Sequence, residues 1–138
     1  MTAYLDSSAI LRRLMRQPSG LLEWKLIRTP VSSRLTEVEC LRTLDRLRVE
    51  QKYTEDHLVN LREGLYRILT TFEIVEVGRS VLVRAAQPSP TSLGTLDAIH
   101  LSSAMAWRER TGVSAVVATH DSALASAARA QGFRVIGA

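Results

Sequence analysis

A single cysteine, Cys40, in 138 residues excludes an internal disulfide and a thiolate-rich zinc knuckle, so a reduced compartment is the expected one. Histidine is scarce as well, and no cluster of His and Cys suits a zinc centre. No apolar run is long enough to cross a bilayer, and no charged start leads into an apolar signal core. The expectation is a cytoplasmic protein with no membrane partner. A glycine-rich phosphate loop is missing too, which counts against P-loop chemistry. Repeats, low-complexity tracts and linkers are all absent, so residues 1–138 are read as one domain with one core.

What is present is ordinary in bulk and unusual in detail. Hydrophobic residues make up 46% and charged residues 23%, a balance that folds rather than stays disordered. The net charge is +4, and lysine occurs only at Lys25 and Lys52, so nearly all the positive charge is arginine. The planar guanidinium matches phosphate oxygens, which makes the surface compatible with nucleic acid; solvated helix faces account for any single arginine equally well.

Short apolar segments alternate with helical periodicities along the chain. Strands are expected at 3–5, 30–32, 73–77, 114–118 and 133–136, and helices near 7–15, 21–27, 36–49, 54–69, 80–86, 96–108 and 122–130. The stripe Leu35, Val38, Leu41, Leu44 and Leu47 is read as the buried face of the 36–49 helix, paired with the next helix in an antiparallel hairpin. Thr36 and Glu39 fit a capping box at its start. Gly112 and Gly132 fall just past helices, where a left-handed residue is needed. This alternation predicts an α/β fold: a mostly parallel central sheet flanked by helices in three layers.

Four carboxylates stand at the ends of these elements: Asp6 in YLDSSA, Glu39 in LTEVECLR, Asp97 in LGTLDAIHL and Asp121 in ATHDSALA. Functional groups of a parallel sheet gather beyond the carboxyl ends of its strands, which is where Asp6 and Asp121 fall. Each acid has a structural role open to it. Asp6 and Asp121 can cap helices, and Asp97 sits favourably at a positive helix end. Taken jointly the caps explain less, because Ser, Thr and Asn cap as well as Asp. Like charges gathered closely oppose folding unless a cation lies among them. All-oxygen ligation suits Mg²⁺ or Mn²⁺.

With these motifs in hand, the chain resembles the PIN-domain ribonucleases, and within them the VapC-type toxins of toxin–antitoxin pairs. YLDSSAIL matches the first acidic motif. Ser33 to Glu39 with Arg42 matches the second, Leu96 to Leu101 the third, and Thr119-His120-Asp121 with its following alanines the fourth. Gly94 departs from the family where a basic residue often precedes the Leu-Asp pair. The resemblance implies a three-layer PIN-like fold and a metal site of Asp6, Glu39, Asp97 and Asp121. Glu37 is the rival of Glu39, since residues two apart on a helix face different ways.

Further roles are read from the residues around these motifs, and the activity and partners from the resemblance. Ser7, Thr119 and Arg42 are candidate supports for these acids; a cap, a strand end and an exposed helix arginine are their plainer readings. His100, one turn after Asp97, is read as a hydrogen-bonded core residue, and Trp24 and Trp107 as packing anchors. The implied activity is metal-assisted hydrolysis of RNA phosphodiester bonds, leaving a 5′-phosphate and a 3′-hydroxyl. Arg12, Arg13 and Arg16 are candidates to track the RNA backbone. The implied partners are RNA, a VapB-type antitoxin and a second copy in a homodimer. Two other readings are a non-catalytic module binding RNA or protein on the same fold, and a small-phosphoester hydrolase. Clustered acids speak against the first, and Asp6-Ser7-Ser8 lacks the second aspartate of the phosphatase motif.

Overall fold

The computed structural model describes residues 1–138. Five short strands form one sheet: β1 (Thr2–Leu5), β2 (Thr29–Ser33), β3 (Glu73–Val75), β4 (Val116–Ala118) and β5 (Arg134–Ile136). Their order is β3-β2-β1-β4-β5, and every neighbouring pair is parallel, so the sheet is wholly parallel. Parallel neighbours need crossovers, and helices supply them. These are α1 (Ser7–Leu14), α2 (Arg34–Val49), α3 (Glu55–Leu69), α4 (Arg79–Ala85), α5 (Thr95–Thr111) and α6 (Ser122–Ala130).

Strand alternation divides the core into two faces. Ala3, Leu5, Val116 and Ala118 pack on one side against Ala9 and Ile10 of α1, Cys40 of α2 and Leu65 of α3. Tyr4, Val31 and Val117 pack on the other against Leu101, Ala104 and Trp107 of α5 and Leu124 and Ala128 of α6. Helices on both faces make the expected three layers. The α2–α3 hairpin closes on its own small cluster of Leu44, Leu58 and Leu61. Gly112 ends α5 at φ 68°, the left-handed conformation that glycine adopts without a Cβ penalty.

The topology places the site. From β1 the chain crosses through α1 to β2 on one side, whereas β4 lies on the other side of β1. The direction of winding therefore reverses between β1 and β4, where a crevice opens beyond the carboxyl ends. Register puts Leu5 opposite Ala118, so Asp6 and Thr119, the next residues, flank that crevice.

Three local expectations are corrected. Residues 21–27 do not form an α-helix; a 3-10 helix covers Leu22–Leu26, with no residue of it buried. The buried face of α2 is Thr36, Cys40 and Leu44, so of the expected stripe only Leu44 is buried: Val38 is 56% exposed, and Leu35, Leu41 and Leu47 flank the contact. Thr36 tolerates burial because Ser32 Oγ meets its hydroxyl at 2.7 Å and itself donates to the Leu5 carbonyl at 2.6 Å. Thr36 and Glu39 form no capping box: Ser33 caps α2 through the Leu35 amide, and Glu39 turns elsewhere.

Candidate metal centre

Asp6 is buried at the end of β1 and is held by three donors. Its Oδ1 accepts from the Ala9 amide at 3.1 Å and from Ser8 Oγ at 2.7 Å, and its Oδ2 accepts from Thr119 Oγ1 at 2.6 Å. The cap expected of Asp6 is therefore present, with two hydroxyls added to it. Thr119 also accepts from the Asp121 amide at 3.0 Å, and Ser8 Oγ accepts from the His120 amide at 2.9 Å. These bonds fasten the turn after β4 to the start of α1. Asp121 caps α6 through the Leu124 amide at 2.8 Å and is otherwise exposed.

Glu39 reaches the same region from α2. His100 Nε2 hydrogen-bonds Glu39 Oε1, and His100 Nδ1 lies 2.9 Å from the Tyr4 hydroxyl. His100 is buried, in line with its reading as a hydrogen-bonded core residue. Asp97, in the first turn of α5, is half-buried and accepts no hydrogen bond from the protein. Burial pushes its carboxyl up to about 6, and the charges of Asp121, Asp6 and Glu39 push the same way, opposed by His100. One carboxyl thus feels the other three: the fold brings all four acids to one place.

The oxygens do not converge into a ready-made ligand set, since no three His, Cys, Asp or Glu side chains meet closely enough to grip one ion. Ligation needs contact at about 2 Å, whereas charge repulsion acts over several ångströms, so the two observations are compatible. The donor chemistry fits a hard divalent cation: four carboxylates, no thiolate, and a negative potential focused on Asp97. A groove of about 280 Å³ beside Ser33, Arg34, Glu37 and Tyr66 contains none of the four acids.

Glu37 lies outside the cluster. It sits 3.7 Å from the Arg34 guanidinium, which also grips Glu76 at 2.6 Å. Arg42 does not meet Glu39; it pairs with Asp45 at 3.2 Å in the open. Ser7 makes no hydrogen bond to Asp6, and Ser8 takes the place proposed for it. The signal was in DSS: the second residue past an aspartate cap can reach back to it. Thr119 engages both Asp6 and the Asp121 amide. Arg12 donates to the Ser19 carbonyl at 3.2 Å, Arg13 lies over Trp24 at 5.5 Å, and Arg16 follows α1 in the open. Arg12 and Arg13 sit in the last turn of α1 and Arg16 just past its end, roughly 9 Å or more from Asp6 along the helix axis. Trp107 is buried and donates to Glu73 Oε2 at 2.8 Å.

The raised Asp97 carboxyl carries a stability prediction. Its ordinary value is 3.8 and its folded value about 6, so folding favours the protonated form. This contribution to stability is complete below pH 4 and is lost as pH rises through 6. In metal-free protein Asp97→Asn is expected to be stabilising at pH 7.5 by about 1 kcal/mol, after a discount for solvent screening. The advantage should vanish near pH 4. Denaturant melts of both proteins at the two pH values check this, and an Asn variant weaker at pH 7.5 would contradict it.

A model of the PIN-domain family matches residues 3–134. The chain is 34% identical to Ribonuclease VapC46 of Mycobacterium tuberculosis over 137 residues, covering 96% of this chain and 95% of that protein. Among solved structures, FitAB bound to an IR36 DNA fragment superposes with a TM-score of 0.72 at 20% identity, covering 97% of this chain and 93% of that one. A toxin–antitoxin complex from Klebsiella pneumoniae gives 0.65 at 15% identity, with 91% of each chain covered. At these identities the structural matches speak for the fold. No helix is long and apolar enough to cross a membrane.

Proposed function

The chain belongs to the PIN-domain family, with the VapC-type ribonucleases, and from that premise we propose that it is a divalent-metal-dependent endoribonuclease acting as the toxin of a toxin–antitoxin pair. The observation that carries the reading is the gathering of Asp6, Glu39, Asp97 and Asp121 at the crevice between β1 and β4, where they act jointly on the Asp97 carboxyl. These four residues would hold Mg²⁺ or Mn²⁺. Such an ion, when bound, supplies Lewis-acid polarisation of the phosphodiester and a lower pKa for the attacking water.

The chain's own residues do the positioning. Asp6 is held rigid by the Ala9 amide, Ser8 and Thr119, so its charge is presented at one place and orientation. Asp121 is fixed as the α6 cap, and its rim position leaves the carboxylate open to solvent. Asp97 has no competing donor and is the acid with most to gain from a cation. The positive balance, +4 with nearly all of it arginine, favours a polyanion, and Arg12, Arg13 and Arg16 lie on one end of α1 for phosphates remote from the cut. A non-catalytic binder of RNA gains nothing from four acids in its crevice.

The expected partners are RNA, a VapB-type antitoxin and a second copy of the chain, in keeping with the toxin–antitoxin complex among its structural neighbours. Product chemistry tests the reaction. Fragments released with Mn²⁺ should carry 5′-phosphates and 3′-hydroxyls, so that a ligase joins them to an adaptor without kinase treatment. Ends bearing 2′,3′-cyclic phosphate would mean attack by the ribose hydroxyl and would sink the hydrolytic reading.

A further inference from the structure

Glu39 differs from the other three acids in how it is supported. Asp6 and Asp121 rest on helix N-terminal amides and Asp97 on no hydrogen bond, but Glu39 stands in the second turn of α2 with no free amide beside it. Its only protein partner is His100 of α5, which engages Oε1. His100 is 1% exposed and its other ring nitrogen meets Tyr4 of β1, also 1% exposed. The chain Tyr4–His100–Glu39 thus joins three elements through buried polar atoms, and each partner neighbours another acid. Tyr4 precedes Asp6 by two residues, and His100 follows Asp97 by three.

Donors and acceptors along this chain allow one neutral arrangement. A carboxylate only accepts, so the ring proton sits on Nε2. Nδ1 is then bare and needs a donor. The Tyr4 hydroxyl, 2.9 Å away and carrying a proton of its own, is that donor. Tyr4 therefore selects the tautomer, and the tautomer aims one N–H at Glu39.

We infer that Tyr4 and His100 are positioning residues for the metal centre: their relay holds Glu39 by Oε1 and presents Oε2 to the cation. The inference rests on the metal-dependent reading above. A ligand that depends on one outer partner for its orientation loses affinity when that partner goes, by about 10–100-fold in metal sites with comparable outer contacts. The relay also ties the rotation of α2 to α5 and β1, so that three of the four acids are set by one hydrogen-bonded line.

Mn²⁺ titration by calorimetry, with no RNA present, separates this role from simple packing. His100→Leu should weaken Mn²⁺ binding by about 10–100-fold. His100→Gln, whose amide N–H reaches Glu39 from a similar distance, should recover most of it, and Tyr4→Phe should fall between them. Phe133→Leu, a core cavity on the same face but at the opposite edge of the sheet, should lower the melting temperature and leave Mn²⁺ affinity unchanged. Wild-type affinity in His100→Leu, or Gln no better than Leu, overturns the relay while the metal reading stands. Failure of the wild type itself to bind Mn²⁺ overturns that reading. If His100→Leu does not fold, imidazole ¹⁵N spectra of the wild type decide: a proton on Nε2 and a bare Nδ1 support the relay, and the opposite tautomer overturns it.

Discussion

Asp6→Asn is expected to leave a folded protein whose RNA cleavage has fallen by roughly a thousandfold or more, the scale of losing a metal ligand rather than an outer partner. The substitution isolates charge from structure. Asparagine caps helices about as well as aspartate, so the Ala9 amide and Ser8 keep their acceptor. The new amide would face Thr119 Oγ1, which can reverse its role and accept. What disappears is one of the negative charges that act on the Asp97 carboxyl. Asp6→Ala is the less informative variant, because it also removes the cap and strands two hydroxyls. Circular dichroism and a melting curve establish folding, and initial cleavage rates with Mn²⁺ establish the loss. A folded Asn variant that cuts RNA at a wild-type rate would remove Asp6 from the centre.

The second large effect separates two glutamates two residues apart. Glu39→Gln should cost roughly a hundredfold or more in cleavage, because it takes the charge from a carboxylate beside His100. Glu37→Gln should leave the rate within about threefold of wild type, since it breaks only a partly exposed pair with Arg34. The contrast follows from helix geometry, which turns the two side chains to different sides of α2. Equal losses in both variants would mean that α2 sits differently from the arrangement described. A loss confined to Glu37→Gln would move the reactive surface to the groove beside Tyr66.

Much of this architecture was legible because local chemistry and global fold agree. Residues 122–130 read as a helix from their alanines and the aspartate cap, and α6 has those bounds. Gly112 signalled its left-handed turn. The strand ends legible at Leu5 and Ala118 put Asp6 and Asp121 at one edge of the sheet.

The misses share a physical cause. Periodicity chose the leucine stripe of α2 and was right at Leu44, but which arc is buried depends on where the sheet and α3 lie, and they add Thr36 and Cys40 in place of the rest. A threonine in that arc looks wrong until Ser32 is seen to satisfy it. Arg42 had two readings, a support for Glu39 or an exposed helix arginine, and the second holds because Asp45, also one turn away, captures it. The relay was out of reach altogether. Tyr4 and His100 are 96 residues apart and His100 and Glu39 are 61 apart, so only the folded chain brings them together.

One measurement tests the central claim most directly: incubation of purified protein with a total RNA pool and Mn²⁺, beside the same reaction in EDTA and beside folded Asp6→Asn. The account predicts discrete fragments in the first reaction and intact RNA in the other two. Cleavage that survives EDTA or the Asp6 substitution would contradict it, as would intact RNA from well-folded, antitoxin-free wild type.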